Sequence, residues 1–328
     1  MELPAADVAP DFEHLNTDDA SLHENAQAWL SVEYSQIDAG EFSGRITRRD
    51  LGPVTIFLEY QNKAVHKRAQ VPANRCTISM IDHGHNAARF MRHSMEQNDQ
   101  LFLMPAMTDC DLVIPGGVSS CYAVMNEGDL LDGIRALGVE GWEQDIDGLQ
   151  VYNSSSSRQL LEQFASISLN QDYLAPSGSG DGVATGQHLL HQLALIIHQA
   201  SAVGTNTDSG QYLRERRLEV VRRTRDYILS CLDQHTSPSV VDICKGIGVS
   251  ARVLQYSFND FMQITPVAYL RILRLNKVRQ QLLMPAHAMV TVTEVATRFG
   301  FMHLSNFARD YAGLFGERPS VTLQRSLR

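Results

Sequence analysis

The stretch that decides the fold is "VTEVATRFGFMHLSNFARDY", residues 292–311. Its first part has apolar residues at helical spacing, Gly300 and Phe301 follow, and a second helical pattern carries Phe307 and Tyr311. This order predicts a short helix, a tight corner and a second helix. One copy alone would fit an ordinary helical hairpin equally well, because short motifs match by chance.

A second copy lies upstream, in "VVDICKGIGVSARVLQYSF", residues 240–258. The corresponding pairs are Cys244 and Ala296, Gly248 and Gly300, Val249 and Phe301, and, after one extra residue, Leu254 and Phe307, then Phe258 and Tyr311. In each copy a small residue allows the two helices to approach, and a glycine accepts a left-handed backbone at the corner. The repetition predicts two helix-turn-helix units, at about 239–261 and 292–315.

A long helix is predicted between the two units. Thr265 is a good N-cap and Pro266 a good first helical residue for "PVAYLRILRLNKVRQQLL". At about 1.5 Å per residue this helix is about 27 Å long. Successive major-groove openings on one face of B-DNA are roughly 34 Å apart. With the packed ends added, two recognition helices could enter adjacent major grooves.

Basic side chains are concentrated in the C-terminal part of the chain. Residues 211–328 hold 17 Lys and Arg against 9 Asp and Glu, a net charge of +8. Subtraction from the totals of 28 and 37 leaves 11 basic and 28 acidic residues in 1–210, a net charge of −17. This asymmetry predicts that the C-terminal part meets a polyanion and the N-terminal part does not. The arginines of "RERR" (214–217) and "RRTR" (222–225) are interpreted as a solvated face.

The N-terminal half has a different pattern. Between about Gly44 and Asn126, β-branched and aromatic runs alternate with Pro, Gly and Asn, as in "PVTIFLEYQ", "RCTISMI", "DQLFLMP" and "CDLVIPGG". Helical periodicity follows at 157–169 and 184–202. The sequence therefore predicts an α+β domain, an antiparallel β-barrel or sandwich with helices packed beside it.

Two stretches of small and polar residues are predicted to be flexible, residues 175–186 and 201–211. The second coincides with the change in charge. We place the domain boundary there, with an effector-sensing or dimerisation domain at 1–202, a linker at 203–212 and a DNA-binding domain at 213–328.

The C-terminal motifs resemble those of the AraC/XylS family of bacterial transcription regulators over roughly residues 213–325. The resemblance rests on S-x-x-x-L-x-x-x-F from Ser250, T-P-x-x-Y-L from Thr265, R-L at Arg274, E-V-A-x-x-x-G-F from Glu294, S-x-F-x-R-x-Y from Ser305 and F-G-x-x-P from Phe315. Gln263 and Val278 depart from it, since the family usually has Gly and Ala there. Residues 40–78 are similar to the start of the effector domain in regulators of the ethanolamine-operon activator type.

The resemblance implies an activator of transcription and not an enzyme. Its N-terminal domain would be a cupin-like antiparallel barrel with helices, which binds a small-molecule effector or forms a homodimer. The expected partners are double-stranded promoter DNA, a second copy of the chain and RNA polymerase. No cofactor or metal is expected, and a cytoplasmic location follows from the absence of a signal peptide or an apolar run of membrane-spanning length.

The family's binding mode also implies which side chains meet DNA. With Leu254 and Phe258 turned inward, the first recognition helix presents Ala251, Arg252, Gln255 and Tyr256. The second presents His303, Ser305, Asn306 and Arg309. Arg suits guanine and Gln suits adenine through paired hydrogen bonds. Arg309 fits a phosphate clamp as well as a base reader, and Arg274 is expected to make a structural or phosphate contact.

Two alternatives remain open for the N-terminal half. The H-x-H of "DHGH" (82–85) would suit a metal-dependent cupin-type enzyme fused to a DNA-binding domain, but His93 and Glu96 lie at the wrong spacing to complete the site. His188, His191 and His198 on one helix are interpreted as packed or solvated. The other alternative is a ligand-independent regulator whose first domain only dimerises, through the outer face of "HLLHQLALIIHQ". The five scattered cysteines are expected to be reduced and structural.

Overall fold

The computed structural model describes most of the chain, with several gaps. The described residues are 12–27, 29–82, 88–90, 93–95, 100–138, 149–153, 159–160, 162–164, 166, 180–201, 211–284 and 290–326.

The N-terminal half is built on two antiparallel sheets. Its strands are β1 (Phe12–Thr17), β2 (Val32–Gln36), β3 (Gly44–Asp50), β4 (Val54–Gln61), β5 (Val65–Gln70), β6 (Arg75–Asp82), β7 (Ala88–Phe90), β8 (His93–Met95), β9 (Gln100–Met104), β10 (Asp109–Ile114), β11 (Val118–Asn126) and β12 (Gln150–Asn153). Within the described ranges, one sheet has the order β1-β3-β4-β11-β6-β9-β12 and the other β2-β5-β10-β7-β8. We call them the large sheet and the small sheet.

Helices cover the large sheet on the face away from the small sheet. The covering helices are α2 (Glu127–Ala136) and α3 (Gly180–Ser201). A further short helix of this half, α1 (Ala20–Asn25), lies between β1 and β2 in the chain. Strand β9 shows the layering, because side chains alternate along a strand. Leu101 and Leu103 join the core beneath α2 and α3, whereas Phe102 and Met104 join the core between the two sheets. The predicted α+β domain of antiparallel strands and helices is confirmed.

The helical domain follows the two sheets. Its helices are α4 (Gln211–Asp233), α5 (Val240–Ile247), α6 (Ala251–Phe261), α7 (Pro266–Leu283), α8 (Val292–Arg298), α9 (Leu304–Phe315) and α10 (Pro319–Ser326). The Thr265 hydroxyl accepts from the N–H of Ala268, which caps α7 as predicted. Ser239 and Asp242 form a reciprocal capping box at the start of α5. The linker helix α7 spans the 18 residues that the sequence predicts.

Several elements differ from the predictions. Strands β1, β2 and β12 and helix α1 lie outside the predicted strand region of 44–126. Helix α3 begins at Gly180, so residues 180–186 of the first predicted flexible stretch are helical. A Cβ on Gly186 would lie 2.2 Å from the Leu51 carbonyl oxygen, so this helix passes too close to the loop before β4 for any side chain. Residues 159–160, 162–164 and 166 are helical, within the predicted helix at 157–169.

The two positions that depart from the family pattern have distinct environments. Gln263 is exposed and has a φ of 56°, the left-handed region that favours glycine. Val278 is fully buried beside Leu275 and Leu282 in the core of the second unit. The left-handed backbone at position 263 therefore explains why the family usually has glycine there.

All five cysteines are free thiols. Cys76, Cys110 and Cys121 are buried, and burial raises the pKa of the Cys110 thiol to about 12. Within the part of the chain that the structure describes, no helix combines the length and the apolar character needed to cross a membrane.

The outer face of the small sheet docks on α4, which corrects the interpretation of "RRTR". The guanidinium of Arg225 is buried and pairs with Glu33 of β2. Arg222 lies 3.4 Å from the Asp111 carboxylate of β10, and Arg223 donates to a carbonyl at the end of α5. The solvated-face interpretation was wrong for Arg222 and Arg225, because each pairs with an acidic residue that lies more than 100 residues away in sequence.

The linker helix α7 meets the same half of the chain. Asn276 and Gln36 exchange two hydrogen bonds of 2.9 Å, and the Tyr269 hydroxyl lies 3.0 Å from Nδ1 of His66. Arg279 is buried and pairs with Asp19 at the start of α1. Some basic residues of the C-terminal half therefore pair with acidic residues of the N-terminal half, and these ion pairs hold the two halves together.

Candidate nucleic-acid interface

The two predicted units share one corner geometry. In each, a glycine with positive φ ends the first helix, at 69° for Gly248 and 79° for Gly300. The next residue then donates its N–H to the carbonyl of the small residue, Val249 to Cys244 and Phe301 to Ala296, both at 3.0 Å. This hydrogen bond is the one expected where a left-handed residue closes a helix. The correspondence read from the sequence is thus repeated in the backbone.

The first recognition helix, α6, has the predicted inner and outer faces. Leu254 and Phe258 are fully buried. The outer side chains are Ala251, Arg252 and Tyr256, which are exposed, and Gln255, which is half-buried. The Ser250 hydroxyl caps the helix by accepting from the N–H of Val253 at 3.3 Å. The cap fixes the turn from which the outer side chains project.

Two side-chain pairs order the outer face of α6. The Arg252 guanidinium lies 5.4 Å from the centre of the Tyr256 ring, and its Nη2 lies 3.4 Å from the Tyr256 hydroxyl. Gln255 donates to Asn259 at 2.9 Å. Both pairs join residues four apart, which face each other on a helix. Arg252 keeps its positive charge free of a carboxylate among the described residues.

The second recognition helix, α9, presents a shorter polar row. His303 occupies the N-cap position without a side-chain cap, while Ser305, Asn306 and Arg309 are exposed. The Arg309 guanidinium donates to Asn306 at 3.2 Å and lies 3.9 Å from the Asp310 carboxylate. Since the Arg309 side chain is 75% exposed, that ion pair is weak and the group remains available to a ligand.

Arg274 of the linker helix has a structural position. It donates through Nε to the Phe299 carbonyl at 2.7 Å, and its guanidinium lies 4.2 Å from the centre of the Phe301 ring. Burial, helped by the nearby charge of Arg271, lowers the pKa of Arg274. Arg271 in turn pairs with Asp310 of α9. These two arginines hold the second corner against α7.

Exposed apolar side chains beside both recognition faces were missed in the sequence. Met302 is 74% exposed, and Val253 and Leu304 are also exposed. The sequence did hold a signal for them, because they do not fall at the positions that the helical spacing turns inward. Apolar side chains in such positions suit the methyl group of thymine.

The described residues give no support for a metal site. Residues 83–87 and 96, which include His83, His85 and Glu96, lie outside the described residues, as does the side chain of His93. On α3, His188 and His191 are exposed and His198 is half-buried. Among the residues that the structure describes, no group of three or more His, Cys, Asp and Glu side chains is arranged to hold a metal ion.

Comparison with known proteins shows what the helical domain is similar to. Residues 243–325 match the family model described as a helix-turn-helix domain. The "Probable thc operon regulatory protein" of Rhodococcus erythropolis is 37% identical over 105 residues, 32% of this chain and 31% of that protein. The "XylDLEGF operon transcriptional activator 2" of Pseudomonas putida is 41% identical over 75 residues, 23% of this chain and 48% of that protein.

A solved structure is similar over a third of the chain. A probable AraC family transcriptional regulator from Rhodopseudomonas palustris is 31% identical, and the match covers 33% of this chain and 97% of that chain with a TM-score of 0.30. The matched segments thus span about a third to a half of the two curated relatives. By name, the first relative is a probable operon regulatory protein and the second an operon transcriptional activator.

Proposed function

We propose that this chain, whose residues 243–325 match a helix-turn-helix domain, is a sequence-specific transcription regulator of the AraC/XylS type that binds promoter DNA. The observation that carries the proposal is the repeated unit. Two corners with the same hydrogen bond each expose the outer face of a recognition helix. The 18-residue helix α7 separates the units by about 27 Å, which suits two adjacent major grooves of one duplex.

We assign base contacts to the first recognition helix. Arg252 reads guanine and Gln255 reads adenine, because their side chains match the paired hydrogen-bonding groups of those bases. Tyr256 holds the Arg252 guanidinium in place, and Ala251 at the helix start lets the backbone approach the groove. The exposed Val253 is placed for a thymine methyl group.

On the second recognition helix, Ser305 and Asn306 contact base edges. Arg309 grips a phosphate through the guanidinium that Asn306 orients. His303 lies at the helix N-terminus, where a phosphate is also favoured.

The N-terminal half is assigned to control. Its two sheets form a compact effector-sensing or dimerisation domain, similar over residues 40–78 to that of the ethanolamine-operon activator type. The exposed face of α3 around His188 and His191 is our assignment for contact with a second copy. The activator named among the relatives supports activation, and RNA polymerase would then be a further partner.

Footprinting on promoter fragments captured from a genomic library tests the proposal. The protein should protect two adjacent major grooves on one face of the DNA, and its affinity should fall steeply with salt. Arg252→Ala should cost about 1–3 kcal/mol of discrimination between the captured site and a scrambled duplex. Arg309→Ala should weaken binding to both and reduce the salt slope by about one.

Arg135→Ala is the matched control, since it removes an exposed arginine from α2 in the other half of the chain. Circular dichroism confirms that each variant is folded. Unchanged discrimination in Arg252→Ala would refute the base-contact assignment, and equal binding to all duplexes by the unmodified protein would refute sequence-specific regulation.

A further inference from the structure

The N-terminal half contains a cavity between its two sheets. Strands of the large sheet supply Glu59, Thr77 and Tyr122 to its wall, the small sheet supplies Lys67, and the loop after α1 supplies Gln27 and Trp29. Its enclosed volume is about 40 Å³, and about 490 Å³ is empty when the opening to solvent is counted as well. A buried water needs roughly 10–15 Å³ on this measure, so the enclosed part holds a polar group of about three heavy atoms, and the body of a ligand would extend into the opening.

The charges in the cavity wall are already balanced. The Glu59 carboxylate is buried and accepts from Lys67 and from the Gln27 amide, each at 3.1 Å, and also from the Tyr34 hydroxyl. Its fourth neighbour is Nε2 of His23 at 3.2 Å. Although burial acts to raise it, these partners hold the pKa of Glu59 well below its usual range, so the carboxylate stays ionised.

The Lys67 ammonium is enclosed in the same way. Besides its ion pair with Glu59, it lies 5.1 Å from the centre of the Tyr34 ring and 5.4 Å from that of Tyr122. Aromatic faces attract a cation at this range. A charged ligand would have to break the Lys67–Glu59 pair or bring an uncompensated charge into a buried site, and both are unfavourable.

Polar atoms without a protein partner lie around the balanced pair. They are Gln27 Oε1, Trp29 Nε1, Thr77 Oγ1 and the Tyr122 hydroxyl, each buried and without a hydrogen bond of good geometry among the described residues; the Trp29 N–H lies near the Tyr122 hydroxyl and makes at most a poorly aligned bond to it. Gln27, Thr77 and Tyr122 are 1%, 1% and 5% exposed. Buried polar groups are normally hydrogen-bonded, so such a cluster is unusual in a folded core. Together the atoms offer an acceptor, an N–H donor and two hydroxyls.

The rest of the wall is apolar. The side chains of Ile81, Met104, Leu112 and Ile114 complete the cavity from both sheets. A ligand therefore meets hydrogen-bonding groups at one end and hydrocarbon at the other.

We propose that this cavity binds a small uncharged molecule with an apolar body and an adjacent hydrogen-bond donor and acceptor, of which a carboxamide is the simplest. Gln27 Oε1 accepts from the ligand N–H, and Trp29 Nε1 and the Tyr122 hydroxyl donate to its carbonyl. The inference rests on the proposed function in that it names the class of effector; binding of DNA does not depend on it.

Benzamide, benzoate and benzamidine provide a test, because they share size and shape but are neutral, anionic and cationic near neutral pH. Isobutyramide and isobutyrate repeat the comparison with an aliphatic body. Isothermal titration and thermal melting of the full chain are the readouts. At least one of the two amides should bind at least tenfold more tightly than its charged counterparts and raise the melting temperature.

Tyr122→Phe separates recognition from folding. It removes only a hydroxyl whose contact with the Trp29 N–H is poorly aligned, so the free protein should change little in melting temperature while amide affinity falls at least fivefold. Trp29→Phe should weaken amide binding similarly. Tyr60→Phe, on the same strand as Glu59 but not lining the cavity, is the matched control and should leave affinity unchanged.

The outcomes are distinct. Preference for the carboxylates, equal affinity in Tyr122→Phe, or no binding by either amide would overturn the inference. A footprint of the same preparations on promoter DNA reports on the proposed function separately. Loss of amide binding with an intact footprint refutes only the inference, and amide binding without sequence-specific DNA binding refutes only the proposed function.

Discussion

Replacing Arg279 with methionine should destabilise the protein strongly, because this arginine joins three elements inside the molecule. It is 6% exposed, pairs with Asp19 at the start of α1, and lies 2.9 Å from the Glu317 carboxylate. Its guanidinium also lies 4.6 Å from the centre of the Phe315 ring. The side chain thus ties the linker helix to both the N-terminal half and the second helix-turn-helix unit.

The magnitude follows from what the substitution leaves behind. Asp19 is 1% exposed, and without Arg279 its carboxylate keeps only the N–H and hydroxyl of Ser21, at 2.8 and 2.5 Å, among the described residues. Removing one partner of a buried ion pair costs about 3–5 kcal/mol, because the remaining charge is desolvated without compensation. Methionine retains the hydrocarbon part of the side chain, so this loss is mainly electrostatic.

Urea unfolding followed by circular dichroism at 222 nm measures the effect. Arg325→Met is the matched control, since Arg325 also pairs across the two halves, with Asp18 at 2.6 Å. The side chains of Arg325 and Asp18 are 31% and 68% exposed, so we expect the control to lose less than about 1 kcal/mol. The difference between the two losses of unfolding free energy then measures the effect of burying an ion pair, because both variants remove one.

Asp19→Asn combined with Arg279→Met completes a double-mutant cycle. Because the double variant no longer leaves a buried carboxylate at Asp19, it should be more stable than the sum of the single losses predicts. A loss of less than about 1 kcal/mol in Arg279→Met, or equal losses in Arg279→Met and Arg325→Met, would refute the reasoning from burial.

Three further predictions concern single backbone or side-chain positions. Gln263→Gly should raise the free energy of unfolding by up to about 1 kcal/mol, since Gln263 has a φ of 56°; an unchanged or lower urea midpoint would contradict this. Gly300→Ala should lose more stability than Gly248→Ala in the same assay, because a Cβ at Gly300 would lie 2.6 Å from Ser237 whereas nothing lies within 4 Å at Gly248; equal losses would argue against the close approach. The lowered pKa of Glu59 contributes stability that is present above the usual carboxylate pKa and is lost on acidification, so urea midpoints measured from pH 7 to pH 4 should fall less steeply in Glu59→Gln than in the unmodified protein.

The parts of the fold that were predictable depend on local signals. The linker helix was bounded correctly because Thr265 and Pro266 mark its start in the sequence itself. The two corners were found because each needs a small residue, a glycine and an apolar residue at fixed spacing. These constraints act within about 20 residues, so no knowledge of the rest of the molecule is required.

The parts that were missed depend on distant partners. Nothing near Arg225 in the sequence indicates that Glu33 will neutralise it. Helix α3 includes three glycines in its first seven residues, a composition that favours a loop, yet Gly186 is needed where the helix passes Leu51. The cavity was unpredictable for a different reason: Glu59 and Lys67 are eight residues apart, and they meet across it because β4 and β5 lie in opposite sheets.

The small sheet links the proposed effector cavity to the DNA-binding half. Along β5, Lys67 faces the cavity and the preceding residue, His66, faces Tyr269 of the linker helix and Asp111. Successive side chains of a strand point to opposite faces, so we expect a ligand that shifts the β5 backbone at Lys67 to shift His66 as well. Tyr269→Phe should therefore keep amide binding and DNA binding while reducing the change in DNA affinity that a saturating amide produces. Full coupling in this variant would show that the signal takes another route, since coupling between two sites is measured by that change alone.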